Sequence, residues 1–137
     1  MTELADTSAW SVRRHSSVTA WWAAQVSAGE IGTCDIVKVE LLHSTRNGSE
    51  FRALRENLAG LPNHRLSSVA WERVLEVHDL LAQVSPQHHR SVKPMDVLIA
   101  VCAEEAGWTL VHYDQDFDTI AAVTGQATRW IAKRGSV

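Results

Sequence analysis

Four separate stretches of the chain set carboxylates into or against apolar runs: Leu4-Ala5-Asp6-Thr7-Ser8, Val39-Glu40-Leu41-Leu42, Met95-Asp96-Val97-Leu98-Ile99-Ala100 and His112-Tyr113-Asp114-Gln115-Asp116-Phe117. Residues within such runs face a core, so these acids are expected to point inward. Two like charges about 4 Å apart repel by roughly 4 kcal/mol at an effective dielectric near 20. A fold that gathers several of them needs a place where a cation can join them. The pattern therefore demands one shared site and points to metal-dependent chemistry.

The order of elements supplies such a place. Leu4-Ala5 ends a short strand, and Asp6-Thr7-Ser8 opens a helix. Helical patterning then runs from Ala9 to Ala28 in two pieces broken near Ser16-Ser17, with Trp10, Trp21, Trp22 and Val26 on the apolar face and Gly29 as the stop. Ile31 to Cys34 reads as a second strand, and Asp35 caps a helix reaching Ser44. After the Asn47-Gly48 turn, Ser49 to Leu61 is helical, with Phe51, Leu54 and Leu58 at spacings of three and four. His64-Arg65-Leu66 is expected as a third, edge strand. Ser67 or Ser68 caps a long helix whose buried stripe is predicted as Val69, Trp71, Val74, Leu75, Val77, Leu80 and Leu81, ended by Pro86. Pro94 opens the helix Met95 to Ala106, closed by Gly107. Thr109 to His112 is a strand, Asp116 caps a helix ending at Gly125, and Thr128 to Ile131 is a last strand.

Strands alternating with helices predict an α/β sandwich around a parallel sheet, as a single domain over 1–137. In such sheets sites lie outside the carboxyl ends of the strands. Asp6 and Asp114 each follow a strand there. Asp96 falls in the first turn of a helix that folds back over the sheet, and Glu40 lies one turn inside its own helix.

Composition narrows the possibilities further. A net charge of −3 announces no nucleic-acid binding by itself. If the acids gather around metal ions, however, the remaining surface is slightly basic, and Arg13, Arg14, Arg46, Arg52, Arg55, Arg90 and Lys93 can supply a local phosphate-binding rim. No apolar run approaches the roughly 18 to 20 residues that span a bilayer. The start Met1-Thr2-Glu3 lacks a basic region and a long apolar stretch, so a cytoplasmic location is expected. Cys34 and Cys102 read as small buried hydrophobes, the His88-His89 pair as a surface loop, and the tryptophans mostly as core or interface.

An all-oxygen ligand set selects Mg²⁺ or Mn²⁺ over zinc. Two such ions about 3.5 to 4 Å apart can activate a water and stabilise the leaving oxygen of a phosphodiester. Neither phosphate-loop pattern, GxxxxGK[ST] or GxGxxG, is present. Each acid also has a structural reading. Asp6, Asp96 and Asp116 can serve helix N-termini, Asp118 can face solvent in a first turn, and Glu40 can pair with Lys38 or Arg46. Thr7 and Ser8 can cap a helix or contact a phosphate.

These motifs together resemble those of PIN-domain ribonucleases of the VapC type, the toxin half of VapBC toxin–antitoxin modules. The resemblance rests on Leu4 to Trp10, Glu40-Leu41, and the run from His89-Arg90 through Pro94 to Ala100, His112 to Asp118 and Thr124-Gly125-Gln126. The last part is similar to a subgroup common in mycobacteria and other actinobacteria. The resemblance implies a three-layer α/β fold with a five-stranded parallel sheet of order 3-2-1-4-5, usually as a homodimer. It also implies a catalytic set of Asp6, Glu40, Asp96 and Asp114, with Asp6, Asp96, Asp114 and Asp116 on the metal. Thr7, Ser8, Arg13 and Arg14 are expected as auxiliary, substrate-side residues. The implied activity is Mg²⁺-dependent cleavage of structured RNA (tRNA or rRNA), with Mn²⁺ as a substitute, blocked by a cognate VapB-type antitoxin. Gln115 stands where many relatives carry arginine, so no substrate contact is carried over to it.

Two other readings of the same acids stay open at this point. One takes Asp6 as a covalent phosphoacceptor of a phosphatase-like α/β enzyme, although Ser8 replaces the second acid of a D-x-D start. The other keeps the fold as a catalytically silent binding module.

Overall fold

The structure is a computed structural model describing residues 1–137. The elements run β1 (Glu3–Ala5), α1 (Thr7–Ser11), α2 (Thr19–Ser27), β2 (Ile31–Cys34), α3 (Asp35–His43), α4 (Gly48–Ala59), β3 (Asn63–His64), α5 (Ala70–Val84), α6 (Pro86–Ser91), α7 (Pro94–Ala106), β4 (Thr109–His112), α8 (Asp116–Thr124) and β5 (Thr128–Trp130). The strands form one sheet of order β3-β2-β1-β4-β5. Every neighbouring pair is parallel. The expected topology is therefore the observed one.

Helices flank the sheet, so its central strands are short continuous apolar runs rather than alternating ones. All of β2 and most of β1 and β4 are buried. The core is completed by α7, where Val97, Ile99, Ala100, Val101, Cys102 and Ala103 are at most 2% exposed. Both cysteines are buried and unpaired by a disulfide. Gly32 in β2 is required by close approach: a Cβ there would sit 2.6 Å from the Trp108 ring. Glu3 and Arg129 form a bidentate pair, at 2.6 and 2.7 Å, that reaches from β1 across β4 to β5. The Arg129 guanidinium also lies 4.8 Å from the centroid of the Trp21 ring on α2.

Several expectations need correction. The stripe of α5 is narrower than predicted: Ala70, Val74, Val77 and Leu81 are buried, whereas Val69, Trp71 and Leu75 are 78%, 53% and 63% exposed. On a helix of 3.6 residues per turn, seven apolar positions exceed the face that one neighbour can cover. His88-His89 lies not in a loop but in α6, which Ser85 caps and Pro86 opens. The edge strand is Asn63–His64 rather than 64–66. The break between α1 and α2 spans 12–18, wider than the predicted serine pair. Asp35 and Asp116 are first helical residues instead of caps, the N-caps being Cys34 and Gln115.

Candidate metal centre

Asp6 leaves β1 and caps α1, its Oδ2 accepting from the Ser8 backbone N–H at 2.8 Å. It is 3% exposed, and its Oδ1 is buried without a partner. Burial pushes its pKa up, the hydrogen bonds from Ser8 oppose this, and the Glu40 charge adds to the rise. Asp96 occupies the first turn of α7, directly behind Pro94 at the helix start. It is 7% exposed, and its Oδ2 likewise lacks a partner. Burial, then the charges of Asp6 and Asp114, raise its pKa to about 7 against the pull of Lys93.

Asp114 follows β4 and folds its carboxylate onto the next helix: Oδ1 accepts from the Asp116 N–H at 2.9 Å. Burial and the Asp114 charge raise the pKa of Asp116. The carboxylate oxygens of Asp96, Asp114 and Asp116 offer ligand atoms that all lie within 4.8 Å of one another. Glu40 is half-buried on α3 and accepts from the Thr7 hydroxyl at 2.8 Å. It makes neither of the pairings open to it from sequence, since Arg46 is taken by Glu50.

The structure thus brings Asp96, Asp114 and Asp116 into one cluster and couples Asp6 to Asp96 and to Glu40 by charge. The two hydroxyls have different partners. Thr7 holds Glu40, whereas the Ser8 hydroxyl accepts from the Tyr113 N–H at 2.9 Å and staples α1 to the end of β4. Arg13 and Arg14 are not in the cluster. They line a neighbouring cleft of about 400 Å³ with Ser44, Thr45 and Arg46, and Arg13 donates to the Trp10 carbonyl at 2.8 Å. Asp118 is exposed and accepts from the Trp130 indole N–H, the nearer of its oxygens at 3.1 Å.

A divalent cation fits these residues. The donors are all carboxylate oxygens, and two of them, on Asp6 and Asp96, are buried with nothing to bond. Unpaired buried oxygens of this kind are costly unless a proton or a cation satisfies them.

Sequence reasoning missed His112. Its ring is fully buried against Phe117 and Trp130, and its Nδ1 accepts from the Asp114 N–H at 3.2 Å. The ring therefore holds the turn that carries Asp114. A histidine ending an apolar strand, two residues before an acid, was the available signal. Lys93, expected on a phosphate-binding rim, lies near enough to the acids to oppose the rise in pKa at Asp96 and Asp116.

A parallel sheet with an acidic centre at its carboxyl edge defines the class of protein. In agreement, the family described as PIN domain matches residues 4–123. Among curated proteins, ribonuclease VapC18 of Mycobacterium tuberculosis is 41% identical over 132 residues, 96% of each chain. Ribonuclease VapC51 of the same organism is 37% identical over 110 residues, 80% of this chain and 78% of its own. Among solved structures, DNA-bound VapBC from Salmonella typhimurium superposes with TM-score 0.74 at 17% identity, covering 96% of this chain and 100% of that one. DNA-bound VapBC2 from Rickettsia felis gives TM-score 0.70 at 16% identity over 95% of this chain and 98% of that one. The chain belongs to the PIN-domain family, in the branch of the VapC ribonucleases.

Proposed function

We propose that this chain is a metal-dependent endoribonuclease toxin acting on structured RNA, tRNA or rRNA, with Mg²⁺ as its cofactor and Mn²⁺ able to substitute. The observation that carries the reading is the cluster of Asp96, Asp114 and Asp116 beside two unpartnered buried oxygens. Asp6, Asp96, Asp114 and Asp116 would hold the metal, with Glu40 set against it by Thr7. When bound, the cation supplies Lewis-acid stabilisation of charge at the phosphate and acidifies water. The chain's own contribution is preorganisation. His112 and the Ser8–Tyr113 staple fix the Asp114 turn, and the Pro94 helix start fixes Asp96. Asp6 suits a phosphoacceptor poorly, because one of its oxygens is held by the helix it caps.

The likeness to VapC ribonucleases and to the VapBC complexes supports a VapB-type antitoxin as partner. We place the toxin in the cytoplasm; no helix is long and apolar enough to cross a membrane. A homodimer is proposed through the face where Val39 and Met95 stand exposed around a cavity of about 230 Å³ that Ile36, Leu98, Asp35 and Glu40 also line.

The direct test is RNA cleavage by Asp96→Asn and Asp6→Asn proteins of wild-type circular dichroism. Cleavage is expected to fall about 100-fold or more, the scale for removing a preorganised catalytic group. Cleavage at the wild-type rate by both would overturn the assignment.

A further inference from the structure

Four of the ten arginines of this chain are matched to carboxylates, and six, Arg134 among them, are not. Arg46 pairs with Glu50, Arg65 with Asp35, Arg73 with Glu76 and Glu104, and Arg129 with Glu3. Arg134 has no carboxylate. Its guanidinium donates to the side-chain oxygen of Gln115 and lies over the Trp130 ring, 5.8 Å from the centroid. Both holders are neutral, so the positive charge is left uncompensated. The place where it is held matters: Gln115 sits between Asp114 and Asp116, two of the three clustered acids.

The segment bearing Arg134 is fixed at that place. Gly135 turns the chain with φ +79°, a conformation that L side chains rarely adopt. The Ser136 hydroxyl donates to the Lys133 carbonyl and closes the turn. The Val137 N–H then donates to the Tyr113 hydroxyl at 3.0 Å, and the Tyr113 ring meets Trp130 edge-on at 5.5 Å. Tyr113 itself directly precedes Asp114. Contacts on both sides of Arg134 thus tie the segment to the loop that carries the acids.

A guanidinium stacked on an indole keeps a planar fork of N–H donors that matches a phosphate. Arg134 and Lys133 are both exposed, so their charges face solvent on the segment tied to the acid-bearing loop. RNA approaching that centre meets repulsion from its carboxylates, and a cation fixed on the adjoining segment offsets part of it. We propose that Arg134 is a substrate-binding residue that grips a backbone phosphate of the RNA strand flanking the bond to be cut. The proposal rests on the ribonuclease reading above and assigns the strand's path: past Gln115 toward the segment after β5.

The test measures RNA binding apart from turnover. Asp96→Asn protein, with and without Arg134→Gln or Arg134→Lys, is titrated into a short labelled single-stranded RNA across a range of KCl concentrations. For Arg134→Gln, Kd is expected to rise about 5- to 10-fold at low salt, and the slope of log Kd against log salt to fall by about 0.7 to 1. Arg134→Lys is expected to restore the slope and only part of the affinity, because the charge survives and the fork does not. In the wild-type background, Arg134→Gln is expected to leave Tm and the Mn²⁺-induced rise in Tm unchanged. An unchanged Kd and salt slope would overturn the proposal. So would a loss of binding matched by a loss of Tm or of the Mn²⁺ response, which marks a structural role. Failure of the ribonuclease reading has a different signature, full RNA cleavage by both Asp96→Asn and Asp6→Asn proteins, while the salt slope still decides on Arg134.

Discussion

Asp96 carries two conflicting demands. Its position in the first turn of α7 favours a negative charge, while burial and its acidic neighbours favour the protonated form. With its pKa raised to about 7, the folded protein holds a proton that the unfolded chain, titrating near 3.8, has released. Between those values the folded state binds more protons, so stability falls as pH rises through the interval and levels off above it. Urea unfolding of metal-free protein is expected to show this decline, on the order of a few kcal/mol from about pH 4 to pH 7. Asp96→Asn should abolish most of it, and Mg²⁺ or Mn²⁺ should restore stability near neutrality. A flat profile for the wild type would contradict the assignment. At Thr7 the expected outcome is kinetic: Thr7→Val removes the hydroxyl that holds Glu40 and should slow cleavage about 10-fold with little change in Tm. The acids themselves were legible because a carboxylate in an apolar run is conspicuous. Glu40 was the weakest of them from the residues alone, since its only clear anchor, Thr7, is remote in sequence. His112 was not legible either, because its role is a backbone contact that composition does not display.

Elements of this fold differ in how much their local sequence decides. The starts of α1 and α7 are written in single residues, Asp6 and Pro94, whereas Pro86 reads as the end of α5 and also opens α6. The stripe of α5 was overestimated because periodicity marks apolar positions without saying whether a neighbour covers them. The two-residue β3 is set by pairing with Thr33 and Cys34 of β2, which no local pattern reports. Gly32 shows the same limit from the other side. It reads as an ordinary glycine in a strand, yet it is there because the Trp108 ring fills the space where a Cβ would be. Gly32→Ala must displace that ring or part β2 from its neighbours. It is expected to cost about 1–3 kcal/mol in urea unfolding, as overpacking does elsewhere. A loss within experimental error would show that the ring can shift freely.

For the whole molecule, alternation of strands and helices was enough to predict a parallel sheet, and the motifs' resemblance to a known family supplied its order. Quaternary structure was not legible in the same way, because an apolar residue on a helix looks alike whether it meets the core or a second copy. The exposed Val39 and Met95 lead to a definite expectation: wild-type protein sediments as a dimer at micromolar concentration, and Val39→Lys shifts it to monomer. A wild-type monomer would remove the proposed interface.

The hydrogen bond between Ser8 and Tyr113 joins residues 105 positions apart. It closes the centre between the two ends of a long stretch of chain, so no shorter fragment contains both halves. During translation the first half leaves the ribosome carrying Asp6 and Glu40 with nothing to complete them. Domains fold as synthesis proceeds at about 5–20 residues per second, so the interval before the stretch bearing Asp114 and Asp116 emerges is several seconds. The acidic centre is thus completed only late in the synthesis of the chain.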